Sequence, residues 1–395
     1  MSLSDTEIQE LIETRRRFHR TPELGFQEHE TARTIAGQLR EFGYSVRSGV
    51  GETGVVGHLT GAQSGPTVLL RADIDALPID EQNDCDYKSI HRGIMHACGH
   101  DGHLAIALLA AKHLARSRSG LRGCVKFAFQ PAEELLSGAL RMVEDGVMED
   151  PKVDAAFGLH LWNNLDVGTV GVVAGPMMAS VDRFEIVVKG KGGHGAMPHQ
   201  TIDAVVVASH IVTALQTIVS RNADPLDSVV VTVGTMQSGN AFNIIADRAT
   251  MTGTVRVFDR QTYEVIPKLL ERVIAGVCRA LGADYQLSYE RLCKPTINDP
   301  LMAQLAREVA GEIVGPENVL DTGEARTTCG EDMSEFLNRV PGCYLFIGSR
   351  NRAKGFIHPH HSSQFDFDED ALAIGVEILE RIVGKYLTSS RPAGV

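Results

Sequence analysis

The chain changes rhythm near residue 180 and changes back near 293. Up to residue 162, helical and extended segments succeed one another. Residues 4–20 and 28–42 have amphipathic helical spacing and are split by the turn "TPELG". "ETGVVGHL" (52–59) and "PTVLLRADI" (66–74) read as strands, and "GHLAIALLAAKHLARS" (102–117) as a helix. "CVKFAFQ" (124–130) is a strand that Pro131 stops; a helix over 137–148 and a strand over 153–162 follow. Strands alternating with helices require a mostly parallel sheet covered on both faces. Between 180 and 293 the order is instead β-α-β-β-α-β: a strand over 180–190, a helix over 201–221 capped by Thr201, and strands over 228–237 and 246–258. A helix over 260–282, which Pro267 kinks or opens, and a strand over 284–292 complete the block. The α/β pattern then resumes with a helix over 300–314, a strand over 342–348 and a helix over 368–387. The expected fold is α/β, a mostly parallel sheet with helices on both faces, plus an inserted ferredoxin-like α+β domain. The boundaries are 1–179 and 294–395 for a discontinuous catalytic domain and 180–293 for the insert.

Composition narrows the functional class. At about 100–200 residues per domain, 395 residues suit two or three domains. A net charge of −12 lacks the basic footprint of a nucleic-acid binder. Arg15, Arg16 and Arg17, the basic cluster near the start, read as a solvated helix face. Seven scattered cysteines do not make a disulfide framework. "MSLSDTEIQELIETRRRFHR" lacks the apolar segment of a signal peptide, and no run of about 18 apolar residues offers a membrane span. The expectation is a cytoplasmic protein with no membrane partner.

Ligands of open α/β sheets bind beyond the carboxyl ends of strands, and polar residues gather there. Asp73 and Asp75 follow one predicted strand, Glu133 and Glu134 another, and His160 ends a third. His358, His360 and His361 follow the strand over 342–348, and "MHACGHDGH" (95–103) precedes the helix near 102. Any one group alone has an ordinary explanation, such as an acid pair at a helix N-terminus or a turn with a buried thiol. Asp80, Glu81 and Asp84 read as solvated loop charges, and His113 and His210 as packing or surface residues. Five segments converging on one cleft favour a metal site. Cysteine, histidine and glutamate suit zinc-like divalent ions, and a thiolate or carboxylate can bridge two. Of two adjacent glutamates, one can bind metal while the other holds the proton of an attacking water.

Ten motifs in order, among them "LRADIDALPI" (70–79), "MHACGHDGHLA" (95–105), "FQPAEE" (129–134), "GLHLW" (158–162), "GKGGHGAMPH" (190–199), "FNIIAD" (242–247) and "GTVR" (253–256), give a resemblance spanning nearly the whole chain. The sequence resembles the metal-dependent amidohydrolases and peptidases related to aminoacylase and glutamate carboxypeptidase. Its nearest branch is that of hippurate hydrolase, N-acyl-L-amino acid amidohydrolases and auxin–amino acid conjugate hydrolases. The resemblance implies two divalent ions per subunit (Mn2+, Zn2+, Co2+ or Ni2+) held by Cys98, His100, Glu134, His160 and His361, with Cys98 bridging. It implies Glu133 as general base and His194 as oxyanion stabiliser acting in the partner subunit of a homodimer. Asn243 and Arg256 would bind an N-acyl amino acid, Arg256 through its carboxylate. Where the wider family has a histidine this chain has Arg71; Asp73 is then an orienter of a ligand histidine, not a ligand. Ser362–Ser363 replace the branch's usual Asn-Pro, and "EELLSG" its Gly-rich run, which bears on substrate choice more than on mechanism. The rivals are a dipeptidase or carboxypeptidase on the same scaffold, a thiol hydrolase using Cys98, and a non-catalytic metal- or ligand-binding protein.

Overall fold

The computed structural model describes residues 3–388. Two compact units emerge among the described residues: 3–177, 296–327 and 332–388 form one, and 178–295 with 328–331 the other.

The larger unit is built on an eight-stranded sheet. Its strands are β1 (Ser45–Val50), β2 (Gly54–Thr60), β3 (Gln63–Asp73), β4 (Arg122–Gln130), β5 (Ala155–Asp166), β6 (Val170–Gly171), β15 (Val319–Leu320) and β16 (Gly342–Arg350), where β7 (Gly175–Met178) and β14 (Thr296–Asn298) form a separate pair and β8–β13 belong to the smaller unit. The order is β1-β2-β4-β3-β5-β16-β6-β15. The four central strands β4, β3, β5 and β16 are mutually parallel, whereas β1 and β2 pair antiparallel at one side. Alternate residues of these strands point to opposite faces, and both faces are buried. Val68, Leu70, Val125, Phe127, Phe157 and Leu345 enter one core with helices α1 (Asp5–Arg20), α2 (His29–Glu41), α3 (His100–Arg116), α7 (Pro300–Val314) and α9 (Asp370–Thr388). On the other face lie the short helices α4 (Gly138–Glu144) and α8 (Ser334–Leu337), tied to it through Asp332, which accepts from Ala139 N at 3.0 Å and from Arg71 at 3.1 Å. Buried Lys126 on that face donates to the carbonyls of Val147, Glu149 and Pro151 at 2.9, 2.7 and 2.8 Å, closing the link from α4 to β5.

The smaller unit holds β8 (Val181–Lys189), β9 (Gly193–His194), α5 (Ala204–Arg221), β10 (Val229–Ser238), β11 (Ile244–Ile245), β12 (Arg248–Val257), α6 (Arg260–Leu281) and β13 (Asp284–Cys293). Its antiparallel sheet runs β10-β12-β8-β13, the ferredoxin-like order, and leaves β10 at an edge. The cap of α5 is Asp203, not Thr201: its carboxylate accepts from Val205 N and Val206 N, and the helix starts three residues later than the pattern suggested. Thr201 lies in extended backbone after a short turn. Helix α5 is long and apolar enough to cross a membrane, yet Val207, Ala208, Ile211, Leu215 and Ile218 pack on the sheet. Pro267 falls well inside α6, whose cap is Asp259. Proline has no N–H to give the carbonyl four residues back; Arg291 donates to that carbonyl, Tyr263 O, at 2.7 Å.

The triple arginine is not a solvated face. Arg15 is fully buried, bonding Asp101 at 2.7 Å, Asp366 at 2.7 Å and Glu369 at 3.2 Å. Glu81 is buried as well and meets His19 Nε2 at 3.2 Å, while His19 Nδ1 donates to Asp101 at 2.8 Å. Burial works against charge on Asp101, but Arg15 and His19 outweigh it and hold the carboxyl well below the usual range. Its depressed pKa contributes stability that is present at neutral pH and is lost as acid protonates it. Removing one partner of such a buried pair costs about 3–5 kcal/mol. Arg15→Met should therefore lower stability to denaturant by about that much at pH 7, while exposed Arg17→Met shifts the midpoint little; equal small shifts in both would contradict this reading.

Candidate metal centre

Strand register builds the site. Arg71 of β3 pairs with Gly158 of β5, so Asp73 stands level with His160. Asp73 also pairs with Gln130, the last residue of β4, from which "PAEE" departs. Gly99 caps α3 with φ 88°, a left-handed turn that glycine adopts at little cost, and His100 opens the helix. His361 reaches the same edge on a backbone with φ 66°, its N–H donating to Ala97 O at 2.8 Å.

The donors share one wiring scheme. His100 Nδ1 donates to Asp75 O at 2.9 Å, and its buried Nε2 has no hydrogen-bond partner. That Nε2 lies 3.7 Å from Asp73 Oδ2, 3.9 Å from Glu133 Oε2 and 4.0 Å from Glu134 Oε1. His160 Nδ1 donates to Leu161 O at 2.7 Å, and its Nε2 is 3.6 Å from Cys98 Sγ. An imidazole with Nδ1 engaged by a backbone carbonyl and Nε2 turned inward is the form that ligates metal. Glu134 N donates to Asp75 Oδ2 at 3.0 Å; its Oε1 is buried and unpartnered, and its Oε2 is 3.4 Å from His361 Nε2. Of the five trios whose donor atoms lie within 4.8 Å of one another among the described residues, two contain Cys98: Cys98–His100–His160 and Cys98–Glu134–His361. The mixed thiol, imidazole and carboxylate set fits divalent ions of the zinc type, with the sulfur common to both trios.

The electrostatics favour a cation. Burial lowers the basicity of His100, but Asp73, Asp75 and Glu134 raise its pKa to about 10. Burial, reinforced by the charges of Glu134 and Glu133, pushes the Cys98 thiol well up. That shift works against a free thiolate, and so against a thiol nucleophile. Burial, with His103 and His360 nearby, keeps His160 neutral, as a ligand must be.

Several neighbouring polar residues are committed elsewhere, although both ring nitrogens of buried His96 lack a partner. Asp73 Oδ1 accepts from His103 Nδ1 at 2.6 Å and Oδ2 from Arg71 at 2.7 Å. His103 Nε2 accepts from Leu161 N at 2.9 Å, so neither of its nitrogens is free for an ion. His360 Nε2 donates to Leu161 O at 2.9 Å and stacks on Trp162. His358 contributes its carbonyl to Asn163, and buried His96 belongs to neither trio. Glu133 is buried beside His100.

The remaining candidates lie in the smaller unit. His194 on β9 is exposed and pairs with Ile244 of β11; Asn243 O accepts from Gly195 N at 2.8 Å, so His194 and Asn243 are together. His194 Nδ1 accepts from Ala196 N at 3.1 Å, which leaves Nε2 to carry the proton in the neutral ring. Arg256 is at the far end of β12, where it pairs with Val230. Eight residues of strand separate it from Arg248, the end nearer His194, or about 27 Å at about 3.4 Å per residue. The structure brings the five donors together, and His194 with Asn243, but not Arg256 with either. Sequence reading missed the buried partners. For Arg15 a signal existed, since it falls between Leu11 and Phe18 on the buried stripe of α1. For Glu81 there was none.

The match to known proteins is broad. The model of Peptidase family M20/M25/M40 matches residues 69–385. An N-acyl-L-amino acid amidohydrolase of Geobacillus stearothermophilus is 46% identical over 290 residues, covering 73% of this chain and 78% of the relative. Thermostable carboxypeptidase 1 of Saccharolobus solfataricus is 39% identical over 369 residues, 92% of each chain. Among solved structures, the Bacillus subtilis YXEP protein, described as a dinuclear metal binding peptidase from the M20 family, superposes with a TM-score of 0.85 at 34% identity, covering 97% of this chain and 99% of that one. With the family model spanning most of the sequence and these donors at its strand ends, the chain belongs to Peptidase family M20/M25/M40 and is a metallohydrolase of that family.

Proposed function

We propose that the chain hydrolyses N-acyl amino acids to a carboxylic acid and a free amino acid, using two divalent ions per subunit, in a homodimer. The observation that carries this is the pair of donor trios hinged on Cys98. Bound ions would supply an activated water and polarise the amide carbonyl. Glu133, buried and 3.9 Å from His100 Nε2, takes the proton of the attacking water and hands it to the leaving nitrogen. Cys98, His100, Glu134, His160 and His361 hold the ions, and Asp73 orients the cluster behind them. His194 donates from Nε2 to the developing oxyanion, Asn243 binds beside it, and Arg256 pairs with the substrate carboxylate.

From Arg248, its end nearer His194, to Arg256, strand β12 runs about 27 Å, farther than one small substrate reaches. In the proposed homodimer His194 and Asn243 come from one copy, and the metal donors and Glu133 from the other. Edge strand β10 exposes Val230 and Met236, and α5 exposes Val205, Val206 and Val219, an apolar surface suited to pairing between copies. The second reading is a carboxypeptidase, favoured by the named relative; it also cuts an amide beside a free carboxylate. A panel of N-acyl amino acids against peptides, run with Mn2+, Zn2+, Co2+ and Ni2+, separates the two.

Three measurements test the assignment. Glu133→Gln should keep its metal and lose about 10²-fold or more in turnover; near-normal turnover removes the base from this position. Cys98 should resist alkylation in metal-loaded protein and label quickly after chelation, as mass spectrometry reads it; equal labelling in both states rules out ligation. A mixture of inactive His194→Ala and inactive Glu133→Gln subunits, after subunit exchange verified with tags, should regain activity, because some mixed dimers hold one intact site. A proven heterodimer without recovery refutes contribution in trans, and a monomeric mass removes its premise.

A further inference from the structure

The peptide segment that carries the two site glutamates is held from outside the strand it follows. Ala132, just before Glu133, has φ 50°, a left-handed backbone that a residue with a side chain adopts only under constraint. Its N–H is the point of attachment. Glu28, fully buried, accepts that N–H on Oε1 at 2.9 Å and accepts the Thr53 hydroxyl on Oε2 at 2.5 Å. On the other side of Glu133, the N–H of Glu134 is taken by Asp75 Oδ2 at 3.0 Å. The N–H groups of Ala132 and Glu134, the residues on either side of Glu133, are therefore both bound by carboxylates remote in sequence. Close packing supports the hold. A Cβ on Gly25 would come within 3.1 Å of Ala132, one on Gly54 within 2.8 Å of Pro131, and one on Gly138 within 1.6 Å of Pro131 O. Backbone thus closes on Pro131–Ala132 from three sides, and the loop bearing Gly25 also bears Glu28.

We infer that Glu28 is a positioning residue: by holding Ala132 in its left-handed conformation it aims the Glu133 carboxylate at the reacting water. The inference rests on Glu133 being the base. Glu28 is neither a donor in either metal trio nor exposed to substrate. Without its acceptor, the buried Ala132 N–H loses this bond and the strained backbone can relax toward ordinary φ, turning Glu133 with it. Burial raises the Glu28 carboxyl to about 7 in spite of its bonds from Thr53 and Ala132, so glutamine, with a carbonyl oxygen still able to accept from Ala132, is a close substitute.

The test is a double-mutant cycle on the metal-loaded protein. Glu28→Met, similar in length but without a strong acceptor, should lower kcat about tenfold or more, a size typical of a misplaced catalytic group. KM and metal content should stay near wild type, and Glu28→Gln should keep most of kcat. In a Glu133→Gln background Glu28→Met should have little further effect, because its target is gone. Unchanged kcat in Glu28→Met overturns the inference. So does an equal fold-loss in both backgrounds, which is the mark of general damage. If Glu28→Met does not accumulate as folded protein, Thr53→Val, which frees the other carboxylate oxygen, enters the same cycle with the same two outcomes. A nearly active Glu133→Gln removes the base and this inference together, whereas an inactive Glu133→Gln beside a fully active Glu28→Met removes the inference alone.

Discussion

A cluster of inward-facing donors suited to a divalent cation is the constraint on which the ends of the parallel strands depend. His100 Nε2 and Glu134 Oε1 are buried without hydrogen-bond partners, at the edge where parallel strands end. Orphaned buried polar atoms are costly. Here they persist because their other ends are pinned: His100 by Asp75, His160 by Leu161, and Glu134 by Asp75 through its backbone. Asp75 ties a histidine and a glutamate from distant parts of the chain to a single residue. A divalent ion would satisfy the inward ends together.

The same helix turn is anchored from behind. His100 faces the cluster, and Asp101, the next residue, faces Arg15 and His19. Helix α3 therefore begins between two charged groupings, one expecting cations and one already containing them. Arg15 reaches further to Asp366 and Glu369 near the start of α9, so the first helix, the third and the last are joined at the level of the site. Holding donors within tenths of an ångström requires rigid support of this kind.

Much of this was legible in the sequence because it follows from local pattern. Periodicity placed the strands and helices, and the change of rhythm located the β-α-β-β-α-β block. Chemistry-bearing residues at strand ends marked where the donors gather, and the ordered motifs carried the resemblance to the family. What was not legible depended on long-range contact. Glu81 looks like any loop acid until His19 is beside it. Glu28 stands at the start of a helix that the pattern announces, yet nothing local names its partner Ala132, more than a hundred residues away. Strand β1, at the antiparallel side, is mostly exposed and has no alternating apolar signal to announce it. Pro267 read as a kink or a helix start because the rule against interior proline is strong; Arg291, from the following strand, gives the carbonyl four residues back a hydrogen bond.

The peptide unit of Leu161 has a consequence of a different kind. Its carbonyl accepts from His160 Nδ1 and His360 Nε2, and its N–H donates to His103 Nε2, so one residue's main chain fixes the proton positions of three imidazoles. Main-chain groups are common to almost every amino acid. Sequence drift at this position can therefore alter packing while leaving those proton positions intact. Proline is the exception, because it alone would remove the N–H and free His103. The protonation pattern around the centre is in this respect inherited from the sheet itself, not from any particular side chain at 161.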